Sequence, residues 1–207
     1  MRNTSMNIDD MVNIGGPIGA FTNKPTGFVH EFYLIGSIDS AEKYMEWFDI
    51  IRHATEADTV KIYINSYGGD MFSAIQFMRV LDDTRAHVVI SVEGACMSAA
   101  TIIMLCGHSY EISSHSAFMF HNYSGGALGK GGEMYDQIDF ERKWSSAIWI
   151  DIYEGFLSTT EIDEMLNGKD IWLTSEEVTS RLEEKMLADQ KLLDSTDEVT
   201  EGDDNEK

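Results

Sequence analysis

Ser98 stands in a string of small residues between two apolar runs, VVISVEG (88–94) with strand character and ATIIMLCG (100–107) with helix character. A hydroxyl at that junction has two uses. It can cap the helix by accepting one of its free N–H groups. It can also be a nucleophile, because the positive end of the helix favours developing negative charge. The next backbone N–H, that of Ala99, would then lie beside an oxyanion formed on the substrate. Ala95, Ala99 and Ala100 leave room for a peptide backbone. The G-x-S-x-G pattern of the α/β-hydrolases is absent, so that arrangement is not supported.

A serine nucleophile needs a base. Of the six histidines, His30, His53 and His87 fall at element edges, and His108 and His115 flank a short strand. His121 differs, because it closes the apolar strand AFMF (117–120) just before a glycine-rich segment. Its ring therefore sits at a strand end, as a structural histidine or as a base. Asp170, in NGKDIWLTS, precedes a buried run and reads as a loop aspartate or as the group that orients an imidazole. Gly68 and Gly69 in INSYGG lie between a strand and a helix. They can make a tight turn, or turn backbone N–H groups toward an anion.

The elements that must position these residues alternate. Strands are expected at 30–38, 59–66 and 86–94, and helices at 39–54, 70–83 and 98–107. Asp39 or Ser40 is the expected cap of the first helix, and Ile75, Phe77, Met78 and Leu81 the expected inward residues of the second. Three strand–helix repeats argue for an α/β domain with a largely parallel sheet, whose sites form at strand carboxyl ends. Short strands follow near 109–113 and 117–122. The longest helical pattern covers 133–157, and two further helices lie near 159–166 and 175–184. Thr174-Ser-Glu-Glu177 has the form of a capping box for the last.

The 207 residues suit one domain with a sizeable core. A net charge of -21 would be repelled by nucleic acid and anionic membranes, so neither is an expected partner. Part of that charge lies in the tail 194–207, with seven acidic residues and one Lys, which reads as disordered. Cys96 and Cys106 are not a metal or CxxC pair and read as reduced core residues, which fits a cytoplasmic protein. No apolar run reaches the length of a membrane span, and the N-terminus lacks a secretory pattern.

Taken together, YINSYGGD, ISVEGACMSAA, AFMFHN and NGKDIWLTSEE resemble the proteolytic subunit of the Clp protease, the ClpP family, from about Phe32 to Glu177. The resemblance implies an α/β fold of the ClpP/crotonase-like type, a spiral of repeated β-β-α units with a protruding handle of glycine-rich strand plus long helix. It divides the chain into an axial-loop-like segment (1–29), a peptidase domain (30–193) with its handle at about 123–157, and the acidic tail (194–207). It implies Ser98 as nucleophile, His121 as general base, Asp170 as its orienting acid, and the N–H groups of Gly69 and Ala99 as oxyanion hole. It also implies heptameric rings paired into a tetradecamer, unfolded protein or peptide as substrate, and an ATP-driven AAA+ unfoldase of the ClpX or ClpA type as partner. The peptidase itself would need no cofactor and no metal. A bacterial or phage-infected cytoplasm is the implied compartment.

The sequence departs from the family's pattern in places. Tyr67 replaces a proline in the glycine turn, and Asn122-Tyr123 replace Gln-Pro after the histidine. Cys96-Met97 replace Ala-Ala, and Ala99 stands where Met is usual. Lys169 replaces an arginine that bridges rings, and lysine cannot make the same bidentate contact. The closing Gly-Leu-Val-Asp strand is missing, and 181–193 reads as continued helix. An ATP-independent viral head-maturation protease of the same fold is the alternative. A crotonase-type acyl-CoA enzyme and a non-catalytic ring component are disfavoured by the full Ser–His–Asp set.

Overall fold

The computed structural model describes residues 27–202, so the N-terminal segment read as 1–29 lies outside the described residues except for its last three. Strands β1 (Val29–Ile38), β2 (Thr59–Gly69) and β3 (His87–Met97) alternate with helices α1 (Met45–His53), α2 (Met71–Asp83) and α3 (Ala99–Met104). Then come β4 (Ser109–Ile112), β5 (Ala117–Phe120), α4 (Gly131–Tyr153), α5 (Thr159–Leu166), β6 (Ile171–Thr174) and α6 (Ser175–Gly202).

One six-stranded sheet runs β1-β2-β3-β5-β6, with β4 also on β3. All pairings are parallel except β5 with β6. The long β3 serves two partners in succession: Val89–Val92 pair with β4, and Ala95–Met97 with β5. A register shift between Ile64 and Ser66 lets β2 and β3 run on through their glycines. β2 and β3 therefore extend to Gly69 and Met97, past the ends expected at 66 and 94.

Alternation in β1 decides which face is covered. Phe32, Leu34 and Ile38 point into the core, while Glu31, Tyr33 and Ile35 are exposed. Phe77 of α2 meets Tyr44 and Phe48 edge-on, at ring centroid distances of 4.9 and 4.8 Å. All six residues of α3 are buried, which makes it the central helix under the strand ends. The opposite face carries a Tyr33–Tyr63 stack and a Lys61–Glu111 ion pair.

Local details differ from expectation for physical reasons. The first helix opens as a 3-10 turn, Ala41–Tyr44, and neither Asp39 nor Ser40 caps it by a side-chain bond. The Asp39 carboxylate accepts from Lys43 and the Ser40 hydroxyl donates to Glu42. In α2, Asp70 caps the helix, and Ser73, Ala74, Phe77, Val80 and Leu81 are buried, whereas Ile75 and Met78 are half-buried. The inward face is thus rotated slightly from the one expected. The capping box at α6 forms as expected, Thr174 N–H donating to Glu177 and Glu177 N–H to Thr174 Oγ1. That helix continues to Gly202, so the start of the predicted disordered tail at 194 falls inside it. Until Gly202 no residue there breaks a helix.

Two features form the handle region. Residues 121–128 make no strand within the single chain, because a lone extended segment has no partner for its backbone groups. The long helix α4 does form. Its first half is almost wholly exposed, while Ser145, Trp149 and Tyr153 are buried in the body. Behind it, Arg181 of α6 grips Glu161 of α5 through two bonds of 2.9 and 2.8 Å. That guanidinium holds the Glu161 carboxyl at about 2. No helix among the described residues is long and apolar enough to cross a membrane.

Candidate active site

Ser98 follows β3 directly and takes φ 54 and ψ -130, the one positive φ among described non-glycine residues. A side chain in that region is strained, and strain of this kind is held only where neighbours over-determine it. Three bonds do so here. Ser98 N–H donates to Met119 O at 2.8 Å, and the Ser98 carbonyl accepts from Thr101 N–H and from Thr101 Oγ1. The Thr101 hydroxyl proton is used there, so Tyr153 donates its own to Thr101 Oγ1 at 2.7 Å. The buried end of α4 thereby braces the serine turn.

Ser98 occupies the N-cap position of α3, yet its side chain accepts no N–H from the helix. The hydroxyl turns instead to His121 Nε2, at 2.6 Å. Strand pairing makes this contact. β3 and β5 are parallel with Met97 opposite Met119, so Ser98 and His121 emerge at neighbouring carboxyl ends.

The glycine turn closes the same cleft. A Cβ on Gly68 would stand 2.6 Å from Ser98 Cβ, and one on Gly69 would stand 2.2 Å from Ile38 O. Both have positive φ, 91 and 151. Only glycine permits this approach of two strand ends. Ser66 sets the turn by donating to Gly36 O and accepting from Gly68 N–H. Asn65 accepts from Ala95 N–H at 3.0 Å and so holds β3 where it bends toward the serine. Gly69, Ser98, Ala99 and His121 all line one small cleft. The Ala99 N–H is the first of its helix and has no intrahelical partner.

After His121, Asn122 fixes the departing chain. Its Oδ1 accepts from Trp149 Nε1 at 2.9 Å and from Tyr123 N–H, and its Nδ2 donates to Leu166 O. Buried Trp149 forms one wall of the cleft.

Asp170 is not drawn into this group. The antiparallel pairing of Phe120 with Ile171 puts the backbone of Asp170 opposite His121. Its side chain, however, is exposed and makes no hydrogen bond to the imidazole within the chain. The turn before it, with Gly168 at φ 94, faces water, and its Lys169 pairs with Glu164.

A hydroxyl within hydrogen-bond reach of an imidazole can attack an acyl carbon, and the free N–H of Ala99 beside it can stabilise the resulting oxyanion. Sequence reasoning singled out Ser98, His121, Gly69 and Ala99, which meet in one cleft. It missed Asn65, Ser66, Thr101, Asn122, Trp149 and Tyr153, which position them. Asn122 was noted only as a departure from a family pattern. The others carried no local signal, since each acts through a partner distant in sequence.

A family model described as Clp protease matches residues 37–181, more than half of the chain, and spans every residue of the cleft. No curated protein matches the chain.

Proposed function

The chain belongs to the Clp protease family, which makes it a serine-type peptidase of α/β fold, and we propose that Ser98 and His121 are its nucleophile and base in an endopeptidase for unfolded proteins. The observation that carries this reading is the 2.6 Å contact between Ser98 Oγ and His121 Nε2 at a strained serine that does not cap its helix.

Ser98 Oγ attacks the scissile carbonyl while His121 Nε2 takes its proton. The carbonyl oxygen becomes an oxyanion against the N–H groups of Gly69 and Ala99. The C–N bond then breaks, and His121 returns the proton to the leaving amine. A water molecule, deprotonated by the same imidazole, hydrolyses the acyl-enzyme and restores Ser98. Every step uses this chain's own groups, with no cofactor. Asp170 completes the set when its carboxylate turns from water toward Nδ1 of His121, the atom opposite the one that contacts Ser98. The pairing of Phe120 with Ile171, the neighbours of these two residues, supports this reading.

Family membership supports self-assembly, and the exposed apolar residues of the handle (Leu128, Tyr135, Ile138 and Phe140) suit contacts between copies. We assign to the assembly a double heptameric ring that is fed by an AAA+ unfoldase.

A fluorophosphonate probe tests the chemistry. One adduct is expected, on Ser98, absent from Ser98→Ala and lost on heating. An assembled protein that takes no label and cleaves no peptide would overturn the reading. Nucleotide tests the partner: folded substrates should be degraded only with an unfoldase and ATP. Cleavage of scaffold or capsid proteins without nucleotide would replace the unfoldase-coupled role with head maturation.

A further inference from the structure

β4 has a strand on one side only. Ser109–Ile112 pair in parallel with Val89–Val92 of β3, and among the described residues no strand lies on the other edge. Along a strand, the backbone groups of successive residues point to alternate sides. Ser113 N–H donates to Val92 O, which sets the phase. Glu111 therefore faces β3 as well, while Tyr110 and Ile112 turn their N–H and C=O groups to the open edge. The last described element, α6, runs on to Gly202 as helix, so no later strand there returns to cover that edge. β1 and β6 end the sheet as well, but β4 is singled out by the trough beside it.

Two cavities follow one another between β4 and α6. The first, of about 210 Å³, lies against Tyr110, Leu182 and Met186, and the second, of about 410 Å³, against Ile112, Ser175 and Thr179. Tyr110 and Ile112 are half-buried on the core, and Met186 is exposed, so the floor is apolar. The rim is acidic. Asp82 and Asp189 border the first cavity, and Glu176 and Glu183 the second. Lys185 answers Asp189 at 3.1 Å, whereas Asp82, Glu176 and Glu183 stand in no ion pair among the described residues. His108, on the same cavity, accepts Val88 N–H at Nδ1, and burial pushes its pKa down, so it adds no positive charge at neutral pH.

We propose that the open edge of β4 is a docking site for an extended, lysine- or arginine-rich segment of a partner protein, which adds to the sheet as a strand. A row of backbone donors and acceptors is matched by another strand. Alternate residues of that strand point into the trough. There the long stems of Lys and Arg cover Tyr110, Ile112 and Met186, and their charged heads reach the carboxylates of the rim. Charge selects the occupant. Residues 1–26 of this chain have two basic and two acidic side chains, 203–207 have three acidic and one Lys, and a second copy brings a net -21. None of these complements an acidic trough as a basic partner does. The site lies on the first half of β3, away from Ser98, and does not rest on the peptidase reading.

The probe is a short fluorescent peptide of alternating lysine and valine, added to the full-length Ser98→Ala protein so that it is not cut. Anisotropy should show saturable binding about tenfold or more tighter than for the same peptide with glutamate in place of lysine, and weaker in high salt. N-methylation of every second amide should abolish binding in one phase and spare it in the other, as strand pairing requires. Glu176→Lys combined with Glu183→Lys should lower affinity about tenfold. Ile112→Pro should abolish binding, because it removes an edge N–H and leaves the β3 side of the ladder intact, while Ile112→Val should bind as the parent does. The N-methylated peptides make the same test on an unaltered edge, so a misfolded Ile112→Pro does not shelter the proposal. Residue-resolved hydrogen exchange should find the Tyr110 and Ile112 amides fast and Glu111 slow, with the peptide slowing the first two. Slow exchange at 110 and 112 before peptide is added overturns the proposal, because this chain or a second copy then already covers the edge. Equal binding of the lysine and glutamate peptides, or of both N-methylated phases, overturns it too.

Discussion

Ser98–His121 and the Lys169–Asp170 turn lie at adjacent strand ends, but only in the first do the two side chains meet each other. Ser98 is fixed by Met119, Thr101 and, through Thr101, Tyr153, and its hydroxyl already meets His121 at 2.6 Å. Asp170 lies opposite His121 by register, yet its carboxylate is in water and Lys169 pairs with Glu164. A parallel strand pair brings the Ser98 hydroxyl to His121, whereas Asp170 sits on an exposed turn and its carboxylate makes no bond to the imidazole. The fold thus fixes the Ser98–His121 contact, while the role proposed for Asp170 requires its side chain to rotate.

The largest test removes the fixed pair. Ser98→Ala, His121→Ala and the double variant should each lower kcat of peptide hydrolysis by about 10⁶-fold, without additivity, because the two act as one unit. Additive losses would show that they do not share a step. Ser98→Gly adds a stability readout. Relief of the positive φ should raise unfolding free energy by about 1–2 kcal/mol while activity is lost, as measured by denaturant titration.

Asp170→Asn sharpens the comparison directly. If the carboxylate reaches His121 in the assembled enzyme, kcat should fall by about 10⁴-fold, the scale for loss of an orienting acid. A fall below tenfold would mean that Asp170 stays in water during turnover. Stability of the isolated chain should change by less than about 0.5 kcal/mol, as for other exposed sites.

Asn122 links the two regions, since it follows His121 and donates to Leu166 O at the end of α5. Asn122→Ala should lower stability by about 2–3 kcal/mol, because it leaves the buried Trp149 indole N–H without its partner. Activity should fall with it as the cleft wall loosens. A variant as stable as the parent would remove Asn122 as the link.

The smallest expected effect is acid lability of the turn alone. Glu161 titrates at about 2 in the fold against an ordinary 4.5. Its pair with Arg181 therefore stabilises fully above about pH 4.5, and that contribution is lost as pH falls toward 2. The loss should be about 2 kcal/mol, the scale of a charged hydrogen-bonded pair. Hydrogen exchange at pH 3 should rise first around α5 and residues 167–170, with β3 and β5 still protected. Glu161→Gln should flatten the dependence. Equal loss of protection in both regions would erase the distinction drawn between them.

Much of this was legible from sequence, for stated reasons. Strand–helix alternation is a matter of hydrophobic period, which local residues carry, and the order of elements followed from it. Ser98, Gly69, Ala99 and His121 were readable because each sits where an apolar run ends, and in an α/β sheet those ends converge. What the sequence left open was whether Ser98 caps α3 or faces a histidine. Residue type serves both uses, and only the pairing of β3 with β5 aims the hydroxyl at His121. The braces at Thr101, Tyr153, Asn65 and Asn122 were equally hidden, because a polar side chain gives no local sign of a partner 30 or 50 residues away. The exposed Asp170 and the trough between β4 and α6 belong to the same class. Sequence determined which groups could react. Tertiary structure decided which of them meet, because contact depends on the register and curvature of strands distant along the chain.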